Sequence, residues 1–262
     1  MWRGVGEIMC RHDDLSTMLQ DMEIPCANHP AMKTIYRWAV EKDLPCLVHH
    51  NANYFHHNTA KLKVDQVGVY AEEVCEVLAE FPTLKFLWCH AGISRSCFGI
   101  AHEKILDSMI GRFPNLIVDL SWVVFETTMC KPKRLAEGAF EVKDEWIAVM
   151  EKYPKNFIIG SDAVGQYEMP QWLRAATKAP IHGLYGPQMV KYQGMLSSLS
   201  KSTREAIAWK NCEEIFFKNW KLPPREGNYH QHDPTNEAEC LVVNDQVRGE
   251  ESGDWIKTGE VF

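Results

Sequence analysis

The sequence predicts an α/β fold in which about five parallel strands alternate with helices. Short apolar runs recur along the chain, and most of them follow a proline and end on a polar side chain. Stretches of helix length with one apolar face separate these runs. Strands that alternate with amphipathic helices of ten or more residues are typical of βαβ units, whose strands are parallel.

Five runs rich in β-branched and aromatic residues are each bounded by turn residues. They are predicted to form strands buried on both faces. They cover residues 4–9, 44–49, 84–90, 116–121 and 157–162. The last four end on His49, His90, Ser121 and Asp162. Because a strand, a helix and two loops fit between successive ends, the chain is predicted to repeat one βα unit.

Helical periodicity fills the gaps between the predicted strands. Apolar residues spaced for one face of a helix occur over residues 32–40, 70–81, 105–113 and 146–153. A closing helix is predicted to begin at Ser202, because Ser202 and Glu205 have the spacing of a capping box, and to reach Phe217. We therefore predict one domain over residues 1–222, followed by a polar tail over residues 223–262.

Two architectures accommodate such a chain, an open doubly wound sheet and a (β/α)8 barrel. A nucleotide-binding open sheet usually carries a glycine-rich phosphate loop, and neither common form of that loop occurs here. Polar residues at the ends of successive strands are typical of a barrel active site. Five strands are recognised where a barrel has eight. The predicted fold is therefore a partial TIM-like (β/α)8 barrel.

Composition narrows the class of partner. The chain has 262 residues, of which 45% are hydrophobic and 24% charged, with a net charge of −7, as in ordinary soluble proteins. The absence of a long basic run argues against nucleic acid or a membrane as the main partner, and favours a small-molecule substrate. We recognise no signal peptide and no bilayer-length apolar stretch, so we expect a cytoplasmic protein. The nine cysteines lack C-x-x-C spacing, which argues against a zinc finger.

Parallel strands bring their carboxyl ends to one edge, so His49, His90 and Asp162 are expected to converge. Two imidazoles and a carboxylate can hold zinc or a similar divalent ion, or place a general base beside one. A single histidine at a strand end is more often a hydrogen-bonded structural residue. Three metal-capable residues at matched positions favour a site.

Several segments resemble the amidohydrolase superfamily, in its amidohydrolase-related (amidohydrolase 2) branch. That branch contains aminocarboxymuconate-semialdehyde decarboxylase, resorcylate decarboxylases and pyrone-dicarboxylate lactonase. LPCLVHHN, LKFLWCHAGISR, NLIVDLSW and NFIIGSDAV resemble its strands five to eight, and GVGEI resembles its fourth strand. The segment from Arg204 to Phe216 resembles its terminal helix, so the resemblance covers about residues 4–217.

The resemblance implies a metal-dependent enzyme that hydrolyses C–N or C–O bonds or decarboxylates without oxidation. The implied cofactor is a divalent metal ion, with zinc preferred. His49 matches a metal ligand, and Asp162 matches an aspartate that binds the metal or takes a proton from the attacking water. His90 matches a second ligand, or the acid/base that polarises the substrate.

Three further residues are candidates for substrate binding. Arg95 follows the HAG turn and could pair with a substrate carboxylate, although a surface arginine at a helix start is the alternative. His50 could touch the metal or the substrate, or be a hydrogen-bonded loop residue. Glu7 faces either the site or a neighbouring helix. His12 lies in a charged loop and is a weak candidate for a ligand.

The departure from the family concerns its first strand, which ends in His-x-His or Glu-x-His and supplies two metal ligands. No predicted strand precedes GVGEI, so we expect an incomplete barrel with two exposed sheet edges. Exposed edges favour association, and a homo-oligomer is one expected outcome. The alternative function is a catalytically inactive remnant that acts, if at all, through association with another chain.

Overall fold

A computed structural model describes residues 3–12, 25–53, 70–93, 101–121, 128–131, 141–162 and 192–218. The predicted substrate residue Arg95 and the predicted tail over residues 223–262 lie outside these ranges. Within them, no helix is long and apolar enough to cross a lipid bilayer. The cysteines of these ranges are all free thiols.

The structure confirms the five parallel strands. They are β1 (Val5–Met9), β2 (Cys46–His49), β3 (Phe86–Trp88), β4 (Leu116–Asp119) and β5 (Phe157–Ile158). Each strand pairs in parallel with the next one along the chain, so the order in the sheet is β1-β2-β3-β4-β5. This order never reverses, whereas a doubly wound sheet reverses at its switch point. The open sheet is thus a partial barrel, as predicted.

Helices follow the predicted positions. They are α1 (Pro30–Glu41), α2 (Ala71–Glu80), α3 (His102–Arg112) and α4 (Asp144–Lys152). The closing helix α5 starts as Lys201–Glu205 and continues through two π-helical segments, Ala206–Lys210 and Glu213–Phe217.

The predicted start of α5 is wrong by two residues. Ser200, not Ser202, caps the helix, and its hydroxyl accepts a hydrogen bond from the Thr203 amide at 3.4 Å. The reason is tertiary, because Ser200 and Thr203 both donate to the Glu151 carboxylate of α4. A capping box is a local pattern, and this contact with another helix decides between the two serines.

The two faces of the sheet pack against different helices. Alternate strand residues such as Val48, Trp88 and Val118 join the main core, which α1 to α4 cover. The other face forms a second apolar cluster with the end of α5; its members are Leu47, Leu87, Ile117, Ile158, Cys212, Ile215 and Phe216. Burial of both faces agrees with the continuous apolar runs of the sequence.

Three asparagine side chains link the start of a strand to the element that follows it in the sheet or packs beside it. Each side-chain amide donates to two backbone carbonyls in the turn before that strand or at its first residue. Asn115 donates to Phe81 and Leu84, Asn156 to Pro114 and Leu116, and Asn211 of α5 to Pro154 and Phe157, at 2.7–3.3 Å. These bonds fix the register at one end of the sheet, and the polar strand ends meet at the opposite end.

Candidate metal centre

Three side chains with metal-binding atoms converge at the carboxyl end of the sheet. Glu7 comes from β1, His49 ends β2, and His90 follows β3. One ligand atom of each lies within 4.8 Å of the other two. Glu7 Oε1 is 2.9 Å from His49 Nδ1 and 3.3 Å from His90 Nε2. The carboxylate therefore connects the two imidazoles.

An irregularity in β1 sets the position of Glu7. The register between β1 and β2 shifts between Val5 and Ile8, and Glu7 lies inside this stretch. Such irregularities redirect side chains next to functional sites. The neighbouring Gly6 has φ +136°, and a Cβ there would lie 2.5 Å from the Leu47 carbonyl oxygen. Only glycine fits this close approach of the two strands.

The backbone at His90 is held in an unusual conformation. His90 and Ala91 have φ values of 54° and 53°, in the left-handed region that non-glycine residues rarely adopt. The Asp119 carboxylate accepts a hydrogen bond from the His90 amide at 3.4 Å. Backbone strain of this kind persists where surrounding contacts over-determine it, and it clusters at functional sites.

A hydrogen-bonded line leads from His90 to the end of β4. His90 Nδ1 lies 2.8 Å from Ser121 Oγ, and the Ser121 hydroxyl donates to Asp119 Oδ2. The Ser121 amide also donates to Asp119 Oδ1 at 3.2 Å. Sequence reasoning placed Ser121 at a strand end without a role and overlooked Asp119. The available signal was an aspartate within the apolar run over residues 116–120.

The pKa values of Glu7, His49 and His90 shift in different directions although the three side chains are in contact. Hydrogen bonds from His49 and His90 hold the pKa of the Glu7 carboxyl far below its usual range. Burial lowers the pKa of His49, and the Glu7 contact does not compensate. Burial also acts to lower the pKa of His90, but the Glu7 hydrogen bond and the charges of Asp119, Asp162 and Glu7 outweigh it and raise that pKa. The pKa values of the two imidazoles shift in opposite directions because more carboxylates lie near His90 than near His49.

Asp162 lies near this group but outside it. It follows β5 with φ 46°, another left-handed non-glycine residue, and its charge contributes to the raised pKa of His90. Among the described residues, the compact set of ligand atoms is Glu7, His49 and His90. The structure therefore joins two of the three predicted ligands and adds Glu7. Metal ligation by Asp162 stays a prediction.

The remaining candidates have distinct surroundings. His50 is completely buried, its Nε2 lies 3.0 Å from the Tyr70 carbonyl oxygen, and burial lowers its pKa to about 3. Glu7, predicted as a substrate contact, is one-third exposed (33%) beside both imidazoles. His12, expected in a charged loop, is buried and stacks on the His49 ring at 4.2 Å. The His-x-His pattern at His230–His232 lies in the predicted tail, outside the described residues.

Comparisons with known proteins give matches only among solved structures. No model of a known protein family matches the sequence, and no curated protein matches it significantly. An uncharacterized TIM-barrel protein from Bordetella bronchiseptica is 12% identical with a TM-score of 0.43, over 72% of this chain and 51% of that one. The chain thus spans about half the length of that protein.

Two further matches are described as hydrolases. An amidohydrolase from Burkholderia multivorans, crystallised with bound zinc, is 13% identical over 76% of this chain and 62% of that one, with a TM-score of 0.42. A putative 2-pyrone-4,6-dicarboxylic acid hydrolase from Pseudomonas putida is 12% identical over 83% and 71%, with a TM-score of 0.43.

Proposed function

We propose that Glu7, His49 and His90 bind a divalent metal ion, with zinc preferred, and that the protein is a metal-dependent hydrolase of the amidohydrolase-related type. The observation that carries the proposal is the convergence of three ligand atoms within 4.8 Å at the carboxyl end of adjacent parallel strands. Two imidazoles and one carboxylate are the ligand set of several catalytic zinc sites, which leave a further position open for water or substrate.

The protonation of two of the three donors, Glu7 and His49, fits a metal, whereas the raised pKa of His90 means that a cation would have to displace a proton there. Metal ligands must be deprotonated carboxylates and neutral imidazoles. The low pKa of Glu7 keeps its carboxylate charged, and the lowered pKa of His49 keeps its ring neutral near pH 7. Glu7 and His49 can therefore bind a cation without first losing a proton.

Residues of the chain would carry out the proton transfer and the polarisation of the substrate. A bound divalent ion supplies Lewis acidity and lowers the pKa of water to about 7. Asp162, close to His90 but outside the compact ligand set, is the proposed acceptor of the proton from the attacking water. His90 is proposed as the third ligand of the metal or, alternatively, as the acid that polarises the substrate. Hydrolysis of a C–N or C–O bond and non-oxidative decarboxylation both remain within this proposal, with a small molecule as substrate.

Metal analysis of the purified full-length protein tests the proposal. We expect about one zinc or manganese ion per chain, retained through gel filtration, and loss of most of it in Glu7→Gln and His49→Ala. The exposed His29 caps α1, so His29→Asn is a matched control that should keep the metal. Metal content far below one per chain, unchanged by Glu7→Gln, would refute the proposed centre.

A second candidate is an inactive remnant that associates through a free sheet edge. The observation in its favour is that β1 pairs only with β2 in the described sheet and that Met9 is 44% exposed. This hypothesis expects a homodimer without stoichiometric metal. Light scattering combined with the metal analysis separates it from the enzyme, because only the enzyme requires the metal.

A further inference from the structure

We propose that Ser121 and Asp119 are positioning residues that place the proton of the His90 ring on Nδ1, so that Nε2 is the nitrogen presented at the site. The expected effect on metal affinity rests on the proposed function. The position of the proton on His90 depends only on contacts between residues of this chain. A histidine that binds a metal through one ring nitrogen usually donates the other N–H to a neighbouring acceptor, which fixes the tautomer.

The single hydrogen of the Ser121 hydroxyl determines which atoms donate and which accept between Asp119, Ser121 and His90. The Ser121 hydroxyl has one hydrogen and lies between two partners, Asp119 Oδ2 and His90 Nδ1. A carboxylate can only accept, so the hydroxyl hydrogen points to Asp119. Ser121 Oγ then offers a lone pair to His90, and Nδ1 must carry the hydrogen that fills this contact.

Burial raises the pKa of the Asp119 carboxyl, whereas the His90 charge and three hydrogen bonds, two of them from backbone amides, act in the opposite direction and favour the ionised, accepting form. The Ser121 amide donates to Oδ1 at 3.2 Å, and the His90 amide donates to Oδ2 at 3.4 Å. With the Ser121 hydroxyl, three donors converge on one carboxylate. The same carboxylate thereby fixes both the backbone turn that carries His90 and, through Ser121, the orientation of its ring.

Close packing protects the line from water. A Cβ at Gly160 would lie 2.7 Å from Asp119 Oδ1 and 3.2 Å from Ser121 Cβ, so the chain leaving β5 passes directly against this pair. Ser121 and His90 are both buried. Solvent therefore has little room to replace the hydroxyl as the partner of Nδ1. The Glu7 carboxylate competes for the hydrogen of the neutral ring, because Glu7 Oε1 lies 3.3 Å from His90 Nε2. The contact between Nδ1 and Ser121 Oγ is shorter, at 2.8 Å, and we infer that it decides which nitrogen carries the hydrogen.

Nitrogen NMR of the histidine rings tests the tautomer directly, without any metal. In metal-free protein labelled with ¹⁵N-histidine, at an alkaline pH above which the His90 signals no longer change and the ring is therefore neutral, we expect His90 as the Nδ1–H tautomer. His90→Gln identifies its signals. Ser121→Ala should shift the proton toward Nε2, and Ser121→Thr, which keeps a hydroxyl, should restore the wild-type pattern. A wild-type His90 with its proton on Nε2 overturns the inference, whether or not any variant folds.

Zinc affinity, measured by chelator competition, tests the consequence. Loss of a partner behind a ligating histidine lowers metal affinity by about 10- to 100-fold, and we expect this for Ser121→Ala and Asp119→Asn, with recovery in Ser121→Thr. Ser198→Ala is the matched control, because Ser198 is exposed and its hydroxyl bonds only within its own turn. Unchanged affinity in Ser121→Ala contradicts the positioning role. If the wild type binds no zinc, the proposed function fails while the NMR result still decides the tautomer.

Discussion

His102 should make the stability of the fold depend on pH. Its side chain is buried at the start of α3, where Nε2 donates to the Ala91 carbonyl oxygen in the turn that carries His90. The ring lies between Trp88 and Trp146, with centroids at 6.3 and 6.4 Å. Burial lowers its pKa to about 4, although the Ala91 hydrogen bond acts in the opposite direction.

The direction of the effect follows from linkage. The unfolded chain binds a proton at His102 with a pKa of about 6.5, whereas the folded chain resists it until about pH 4. The contribution of this residue is therefore complete above the unfolded pKa and is lost as pH falls from about 6.5 toward 4. Between pH 7 and 4.5 the two titration curves give a loss of about 2 kcal/mol from His102 alone.

Urea unfolding at pH 7 and pH 4.5 measures this loss. His102→Gln cannot gain a proton and can still donate to Ala91, so its free energy of unfolding should fall by about 2 kcal/mol less than that of the wild type over this interval. His29→Asn, at an exposed site, should follow the wild type. Parallel pH profiles for wild type and His102→Gln would refute the argument that His102 is buried without charge.

Three further substitutions have defined outcomes. Gly160→Ala pushes a methyl group against Asp119 and should cost about 1–3 kcal/mol in thermal or chemical unfolding, with weaker zinc binding in competition assays; an unchanged stability would contradict the close approach. Asp162→Asn should lower turnover about 10²- to 10⁴-fold against a screened substrate panel while metal content by mass spectrometry stays constant; loss of the metal instead would identify Asp162 as a ligand. Leu87→Ala, in the apolar cluster under α5, should destabilise by about 2–5 kcal/mol, whereas Trp38→Ala at a 44% exposed site should cost much less.

The order and type of the elements were predictable from local patterns. A strand buried on both faces needs a continuous apolar run, and a helix against the sheet needs one apolar stripe, so both leave a periodic record in the sequence. The helix predicted from Met32 to Val40 is α1 for this reason. The start of α5 was mispredicted because the local capping-box spacing of Ser202 and Glu205 favours Ser202, and only the contact of Ser200 with Glu151 selects Ser200.

The candidate centre was predictable in part. Parallel strands bring their carboxyl ends together whatever the loops do, which is why His49 and His90 could be paired from the sequence. The position of Glu7 depends on the register shift in β1, and a strand's side chains change faces with a one-residue shift. Its role was therefore undetermined between the site and a helix until the pairing with β2 was known.

The sequence by itself determined the βα repeat, the five strands of the described sheet and the edge at which its polar side chains collect. Only the tertiary structure decided that Glu7 stands between the two imidazoles, that Asp162 lies outside the compact set, and that Ser121 connects His90 to Asp119. The physical reason is that periodicity records the burial of individual residues. Distances between side chains on different strands depend instead on register, turn geometry and close contacts such as the one at Gly160.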